Sequence, residues 1–265
     1  MRKLLGGTDR TFRTLVRQAS RAPCTLLRSV RAVRMPPAAR TELGRALLEA
    51  RAPSLLFALV LMDGALAHAL RPRRHHLHAE DVLLILNLVS ASAALREGVS
   101  FIPLCLPRYN ARGFLYAHVS CIAPAVNLVL LSPSRDAFAE LSACSQLIAE
   151  RAARPLLSTM LADAAAAPTP HLDAPAVPEV LHFIYRVDDQ LVCADLRGSH
   201  SPYALVQPLK RLLRIYQHAH ARVRADCSPT SGKLAREYYQ SRDSGAVLLW
   251  CTHEWELFVA FSPLV

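Results

Sequence analysis

Between residues 52 and 262 one order of elements is read twice, and that order leaves few folds open. "SLLFALVL" (54–61) and "ALAHAL" (65–70) have the length and apolar content of strands, with Asp63 and Gly64 at a hairpin turn between them. "AEDVLLILNLVSASAAL" (79–95) reads as a helix with two acids in its first turn, where the helix dipole favours them. Three strand-like runs follow, "SFIPLCL" (100–106), "GFLYAHVSCI" (113–122) and "AVNLVLLS" (125–132). A helix over 134–161 closes the unit, with Phe138, Leu141, Leu147 and Ile148 at helical spacing and Pro155 near its end.

The Ala- and Pro-rich stretch 164–178 has the composition of a linker. The plan then restarts with strands at 180–187 and 191–195, Asp188 and Asp189 at their turn. A helix over 201–224, kinked at Pro208, leads to strands at 234–241, 246–253 and 256–262. Helices packed on antiparallel sheets make an α+β architecture. In this frame "REGVSFIPLCLPRYNARGFLYAHVS" (96–120) is the end of a helix, a strand, a turn at "RYNARG" and a second strand. Cys105 and His118 are then expected near the sheet centre, where a cysteine serves packing.

With 52% apolar residues, the 265-residue chain has the makings of packed cores rather than of a disordered or fibrous protein. Seven widely spaced cysteines without a C-x-x-C pair argue against a disulfide framework or a zinc knuckle and fit a reducing compartment. No apolar run reaches the roughly 18 residues of a membrane span, and no secretory apolar segment follows Met1, so a soluble, intracellular protein is expected.

The formal charge of +10 is unevenly placed. Residues 1–51 hold twelve Lys and Arg against three acids, and the remainder is nearly balanced. That distribution does not support a general nucleic-acid-binding surface. Within the basic segment Arg10, Arg13, Arg17, Arg21, Arg28 and Arg31 fall on one face of a helix, opposite Phe12, Leu15, Val16, Ala19, Leu26 and Val30, with Pro23 as a breaker. Three readings remain open: a linker helix docked on a neighbouring domain, a helix on an anionic membrane, and a mitochondrial presequence.

Chemistry-bearing motifs fail one by one. "SPTSGKL" (228–234) lacks the upstream Gly of a phosphate loop and ends on Leu234 where Ser or Thr is needed. "HEWEL" (253–257) has Leu257 in place of a second zinc-binding His and lies between strands. In "RPRRHHLHAE" (71–80), His78 and Glu80 could open a deaminase motif, but no Pro-Cys-x-x-Cys follows, and a solvated basic loop is the better reading. There is no G-x-S-x-G and no Gly-rich dinucleotide loop. Tyr109, Phe114, Tyr116, Trp250 and Trp255 lack a local positive surplus, so core or protein-interface roles are expected rather than base stacking. No catalytic, cofactor-binding or metal-binding residues are assigned.

The run "LREGVSFIPLCLPRYNARGFLYAHVS" resembles the second longin domain of the Fuzzy/Mon/Hermansky–Pudlak family, and it favours the Mon branch. Its signature residues here are Arg96, Glu97, Gly98, Pro103, Cys105, Leu106, Pro107, Gly113, Phe114 and His118. The flanking "RAPSLLFALVL" and "AVNLVLLSPSRDAFAELSACSQLIAERAARPLL" extend the resemblance, while "VPEVLHFIYRV", "LLRIYQHAHARVR" and "SGAVLLWCTHEWELFVAFSPL" resemble the third longin domain. "RKLLGG" resembles the stretch leaving a first longin domain.

The resemblance implies two tandem longin (roadblock-like) domains, each a five-stranded antiparallel sheet flanked by helices. The expected boundaries are 1–51 for the basic segment, 52–163 and 179–265 for the domains, and 164–178 for the linker. The first longin domain and the closing helix of the third are expected to be missing, as in a shortened paralogue or a piece of a longer gene. The last sheet would then expose an apolar face. The Mon branch pairs with a Ccz-like longin protein, and the pair is a guanine-nucleotide exchange factor for a late-endosomal Rab GTPase at phosphoinositide-bearing membranes. Exchange of this kind stabilises a nucleotide-free state without covalent chemistry. The implied role of this chain is non-catalytic: a scaffold with membrane-proximal contacts and no cofactor, cytoplasmic and peripheral to the endosome or vacuole. The basic arginine face is its expected membrane or partner surface. The alternative is an imported mitochondrial protein whose first ~35 residues are cleaved.

Overall fold

A computed structural model describes residues 13, 16, 23–166, 179–188, 190–195, 202–226, 236–242, 245–252 and 254–262. The chain divides into two compact units, one formed by residues 30–167 and the other by residues 1–29 together with 168–265.

Along the chain come α1 (Pro23–Leu27), β1 (Val30–Arg31), α2 (Pro37–Glu49), β2 (Phe57–Met62), β3 (Ala65–Leu70), α3 (Ala79–Ala91), α4 (Ala93–Glu97) and β4 (Ser100–Leu106). After them come α5 (Pro107–Asn110), β5 (Ala111–Ala123), β6 (Val126–Ser132), α6 (Phe138–Ala152) and α7 (Pro155–Ala166). The five long strands of the 30–167 unit form an antiparallel sheet in the order β3-β2-β6-β5-β4.

β2 and β6 are buried along their whole length because helices cover both faces of the sheet centre, which is why both strands are almost continuously apolar. Ala58, Val60, Leu128 and Leu130 pack with Leu43 and Leu47 of α2, Leu141 and Ile148 of α6, and Leu157 and Leu161 of α7. The opposite face, with Phe57, Leu59, Val129 and Leu131, packs with Val82, Ile85, Leu86 and Val89 of α3 and Leu95 of α4. The β2–β3 turn takes positive φ at Asp63 (43°) and Gly64 (66°), the geometry that lets a two-residue hairpin follow the sheet twist.

Several boundaries differ from the sequence reading for local reasons. The helix expected over 79–95 is interrupted at Ser92, whose backbone is extended. The one expected over 134–161 divides before Pro155, which has no N–H to continue α6 and instead starts α7. α2 belongs to the compact unit, although residues up to 51 read as linker. Leu43 and Leu47 are fully buried, and Arg40 is drawn inward to the carbonyls of Val33 (2.9 Å) and Ala67 (2.7 Å).

The other unit holds β7 (Val180–Val187), β8 (Gln190–Asp195), a 3-10 turn at Pro202–Ala204, α8 (Val206–Asp226), β9 (Arg236–Arg242), β10 (Gly245–Cys251) and β11 (Trp255–Phe261). Its strands are antiparallel in the order β8-β7-β11-β10-β9. Counted from each unit's first long strand, both sheets run second, first, fifth, fourth, third. Leu212, Leu213, Tyr216, Ala219 and Val223 of α8 pack on Ile184, Leu249, Phe258 and Ala260, and Leu27 of α1 joins this core. Pro208 does not kink the helix: it sits in the first turn of α8, where its missing N–H has no helical partner to lose. The architecture is α+β, twice over.

Candidate functional site

The signature hairpin is built around one buried carboxylate. Asp81, in the first turn of α3, is fully buried and accepts hydrogen bonds from the backbone N–H groups of Tyr109 (2.7 Å) and Arg108 (3.2 Å). It thereby caps the short α5 across a tertiary contact, satisfying donors that a four-residue helix cannot satisfy itself. Next to it Arg108 Nε donates to Glu80 Oε2 at 2.8 Å, and Tyr109 Oη lies 2.9 Å from His75 Nδ1. The Tyr109 and His75 rings meet Phe57 edge-on at 5.3 and 6.4 Å.

These contacts bring the 71–78 loop against the hairpin tip. Arg71, Arg73 and Arg74 from the loop and Arg108 and Arg112 from the tip are all exposed at this end of the domain. Glu80 is engaged with Arg108, and Asp81 is buried, so the local surplus is positive. The sequence reading took 71–80 as a solvated basic loop but missed the basic end as a whole, because that loop and the hairpin tip meet only in the fold.

The signature residues divide between support and surface. Arg96 bonds the Ser90 carbonyl, while its own carbonyl accepts from Asn127 Nδ2 at 2.9 Å. Gly98 donates to Ala94 O at 3.1 Å, where a Cβ would approach that oxygen to 2.9 Å. A Cβ on Gly113 would meet Asn110 Nδ2 at 2.7 Å. Leu106 is buried, and Pro107 starts α5. His118 is 1% exposed, and burial lowers its pKa. Cys105 departs from expectation: it is exposed, because β4 is the edge strand of its sheet. Pro103 and Phe114 are exposed too.

Arg96 and Glu97 also line a cleft of about 520 Å³ with Gly64, Val89, Cys121 and Asn127, between the two hairpin turns and the end of α3. It holds no nucleophile paired with a base. Among the described residues no group of three His, Cys, Asp or Glu side chains could hold a metal ion, and no helix is long and apolar enough to cross a membrane. Cys144 is an inert thiol: burial, reinforced by Glu140, pushes its pKa up to about 11, and it donates to Ala50 O.

Of the six arginines expected on one helical face, Arg10, Arg17 and Arg21 lie outside the described residues. Arg13 is helical and exposed, and Arg28 is exposed with φ of 51°. Arg31 instead donates to the Asp63 carbonyl at 2.5 Å and lies 3.7 Å from its carboxylate, bracing the β2–β3 turn. The described part of the set therefore does not form one continuous helical face.

In the other unit Glu256 on β11 is 2.7 Å from Arg186, 3.1 Å from His220 and 3.3 Å from Arg224. Burial alone would raise its pKa, but the His220 and Arg186 contacts outweigh it and hold the carboxyl at about 2. Arg186 also reaches Leu27 O (3.3 Å) and Ser29 Oγ (3.4 Å), tying the segment around α1 to the sheet. On the sheet Trp255 contacts Trp250 and Tyr185, with Trp250 40% exposed.

Comparison with known proteins matches two stretches of the chain to family models. Residues 53–150 match the family model for the second longin domain of FUZ, MON1 and HPS1, and residues 179–265 match the model for the third. Similar curated proteins include the vacuolar fusion protein MON1 homolog A of Homo sapiens (31% identical over 266 residues) and of Bos taurus (32% over 266 residues). Another is the vacuolar fusion protein MON1 of Yarrowia lipolytica (30% over 269 residues). Each alignment covers 100% of this chain, and the chain spans 40%, 47% and 49% of the three relatives, about half their length or less. The protein belongs to the FUZ, MON1 and HPS1 family and carries its second and third longin domains.

Proposed function

We propose that this chain acts in membrane fusion at the endosome and vacuole or lysosome, as the scaffold portion of a Mon-type subunit that pairs with a Ccz-like longin protein. The complex would activate a late-endosomal Rab GTPase, which this chain serves indirectly. The carrying observation is the alignment of the whole chain with vacuolar fusion proteins at about 30% identity. Exchange works by binding a nucleotide-free state more tightly than a loaded one, so a scaffold without acid–base pairs is compatible with it.

The basic end built from Arg71, Arg73, Arg74, Arg108 and Arg112 supports a membrane-proximal, peripheral position, since clustered arginines attract an anionic lipid surface within about a Debye length. A cleaved mitochondrial presequence ending near residue 35 fits less well. It would remove Leu27 from the core of the 168–265 unit and Val33 from that of the 30–167 unit.

The test is affinity purification of the endogenous protein with mass spectrometry of bait and partners. A Ccz-like longin protein is expected to co-purify, and an intact chain that brings down none would end this reading. In flotation assays with phosphatidylinositol-3-phosphate vesicles, Arg73→Glu with Arg74→Glu is expected to weaken binding several-fold. The loss should shrink as salt rises. Equal binding by the variant at low salt would remove the basic end from the membrane contact.

A further inference from the structure

We infer that the outer face of the β4–β5 hairpin is the seat of a partner helix, apolar along one stripe and acidic beside it. The inference rests on the proposed pairing with a longin protein and names the surface that pairing uses.

Strand alternation divides β4 and β5 cleanly. Ile102, Leu104, Leu115, Ala117 and Val119 face the core beneath α3 and α4. Phe101 pairs with His118 and Pro103 with Tyr116, so these side chains point the other way, along with Cys105 and Phe114. On that side α6 covers the inner strands and meets the hairpin through Phe138, among others, and through Ser145, whose hydroxyl lies 2.7 Å from that of Ser120. Beyond this line the face is open: Phe114 is 62% exposed, Phe138 48%, and Pro103 and Cys105 are exposed as well.

The open residues form one surface. Phe101 stacks on Tyr116 with centroids 5.9 Å apart and meets Phe138 edge-on at 5.7 Å. Scattered apolar side chains need no explanation, but contiguous aromatic ones at a domain edge mark a contact site. Pro103, Cys105, Phe114 and His118 of the family signature all fall on this face. Among the described residues, burial in the fold accounts for His118, while Pro103, Cys105 and Phe114 stay exposed.

Two features select the occupant. Pro103 stands in the middle of the edge strand without an N–H, so a strand added there would lose a ladder bond, and sheet extension is disfavoured. The inner strands of this same face are covered by α2, α6 and α7, and a further helix beside α6 would continue that layer at the usual 8–10 Å spacing. The rim is basic. Arg112 is exposed on the same face, two residues before Phe114, and Arg135 precedes α6, with the exposed Asp136 at 3.6 Å. A helix with Asp or Glu flanking its apolar stripe complements that rim.

The test uses the full chain co-expressed with the Ccz-like protein of the same organism. p-Benzoylphenylalanine at position 114 is expected to cross-link to a helical, acid-flanked segment of that protein. The same group at position 84, on the outer side of α3, should not. Phe114→Glu is expected to weaken the complex at least tenfold with an unchanged melting temperature, and Arg112→Glu should weaken it less and in a salt-dependent way. Undiminished affinity in Phe114→Glu, or cross-links to a second copy of the chain or to a partner strand, would overturn the assignment while leaving the pairing intact. Failure of the unmodified chain to bind any longin protein would instead remove the pairing itself, and the assigned seat with it.

Discussion

His118 lies 5.9 Å from the ring of Phe138 and opposite Phe101, and neither of its ring nitrogens has a hydrogen-bond partner among the described residues. A buried polar group in that state costs about 1–3 kcal/mol, so His118→Phe, close in shape, is expected to raise the melting temperature. The acid response follows from the direction of its shift. Burial lowers the folded pKa below 6.5, so the unfolded chain takes up a proton first as the pH falls, and stability declines below about 6.5. His182, held neutral by burial down to about 4, adds loss between 6.5 and 4. Chemical denaturation at pH 7.5 and 5.5 should show a smaller difference in His118→Phe than in the unchanged chain. An equal or larger difference would mean that His118 finds a partner. Glu256 has the opposite charge type but the same sense. With its pKa lowered from 4.5 to about 2, its contribution is full above 4.5 and is lost as the pH falls toward 2. Glu256→Gln leaves Arg186 without its carboxylate in a site only 12% exposed, and a loss of about 3 kcal/mol is expected from urea melts. Their place within strand-like runs put both His118 and Cys105 near the sheet centre, and this held for His118 alone, since nothing local marks Cys105 as a residue of an edge strand. Strand order is a property of the whole sheet.

At the scale of elements, the strand runs were the most readable part of the chain, since central strands covered on both faces must be apolar throughout. Helix ends were less so. Glu80 and Asp81 read as first-turn acids serving the helix dipole, yet Asp81 is spent on the amides of Arg108 and Tyr109, 27 and 28 residues away. Asp81→Ala should therefore loosen the hairpin tip more than α3. Hydrogen exchange at the Arg108 and Tyr109 amides is expected to quicken at least tenfold, with a global cost of about 1–3 kcal/mol. Faster exchange spread through α3 instead would return Asp81 to a purely helical role. α2 shows the converse. Ala39, Leu43, Ala46, Leu47 and Ala50 have helical spacing, but the surplus of Lys and Arg across residues 1–51 gave the segment the look of a basic linker.

For the whole molecule, charge and domain continuity are the two properties a linear reading obscures. The near-neutral balance of residues 52–265 conceals a basic end, because the arginines of 71–74 and 108–112 converge only when Asp81 draws the hairpin tip to α3. Domain continuity has a sharper consequence. The compact unit of 30–167 contains both of its own cores, so a fragment with those bounds is expected to unfold cooperatively in urea. The unit of 168–265 does not close alone. Leu27 is 5% exposed in its core, Ser29 is fully buried, and Arg186 divides its donors between Glu256 and the Leu27–Ser29 segment. A fragment of 168–265 is thus expected to be less stable than the same fragment supplied with a peptide of residues 19–29, and the peptide should bind it saturably. Arg186→Ala should abolish that binding, because the contacts reaching Leu27 O and Ser29 Oγ go with it. If the isolated fragment melted at the same temperature with and without the peptide, the segment around α1 would be a passenger on this unit rather than a part of its core.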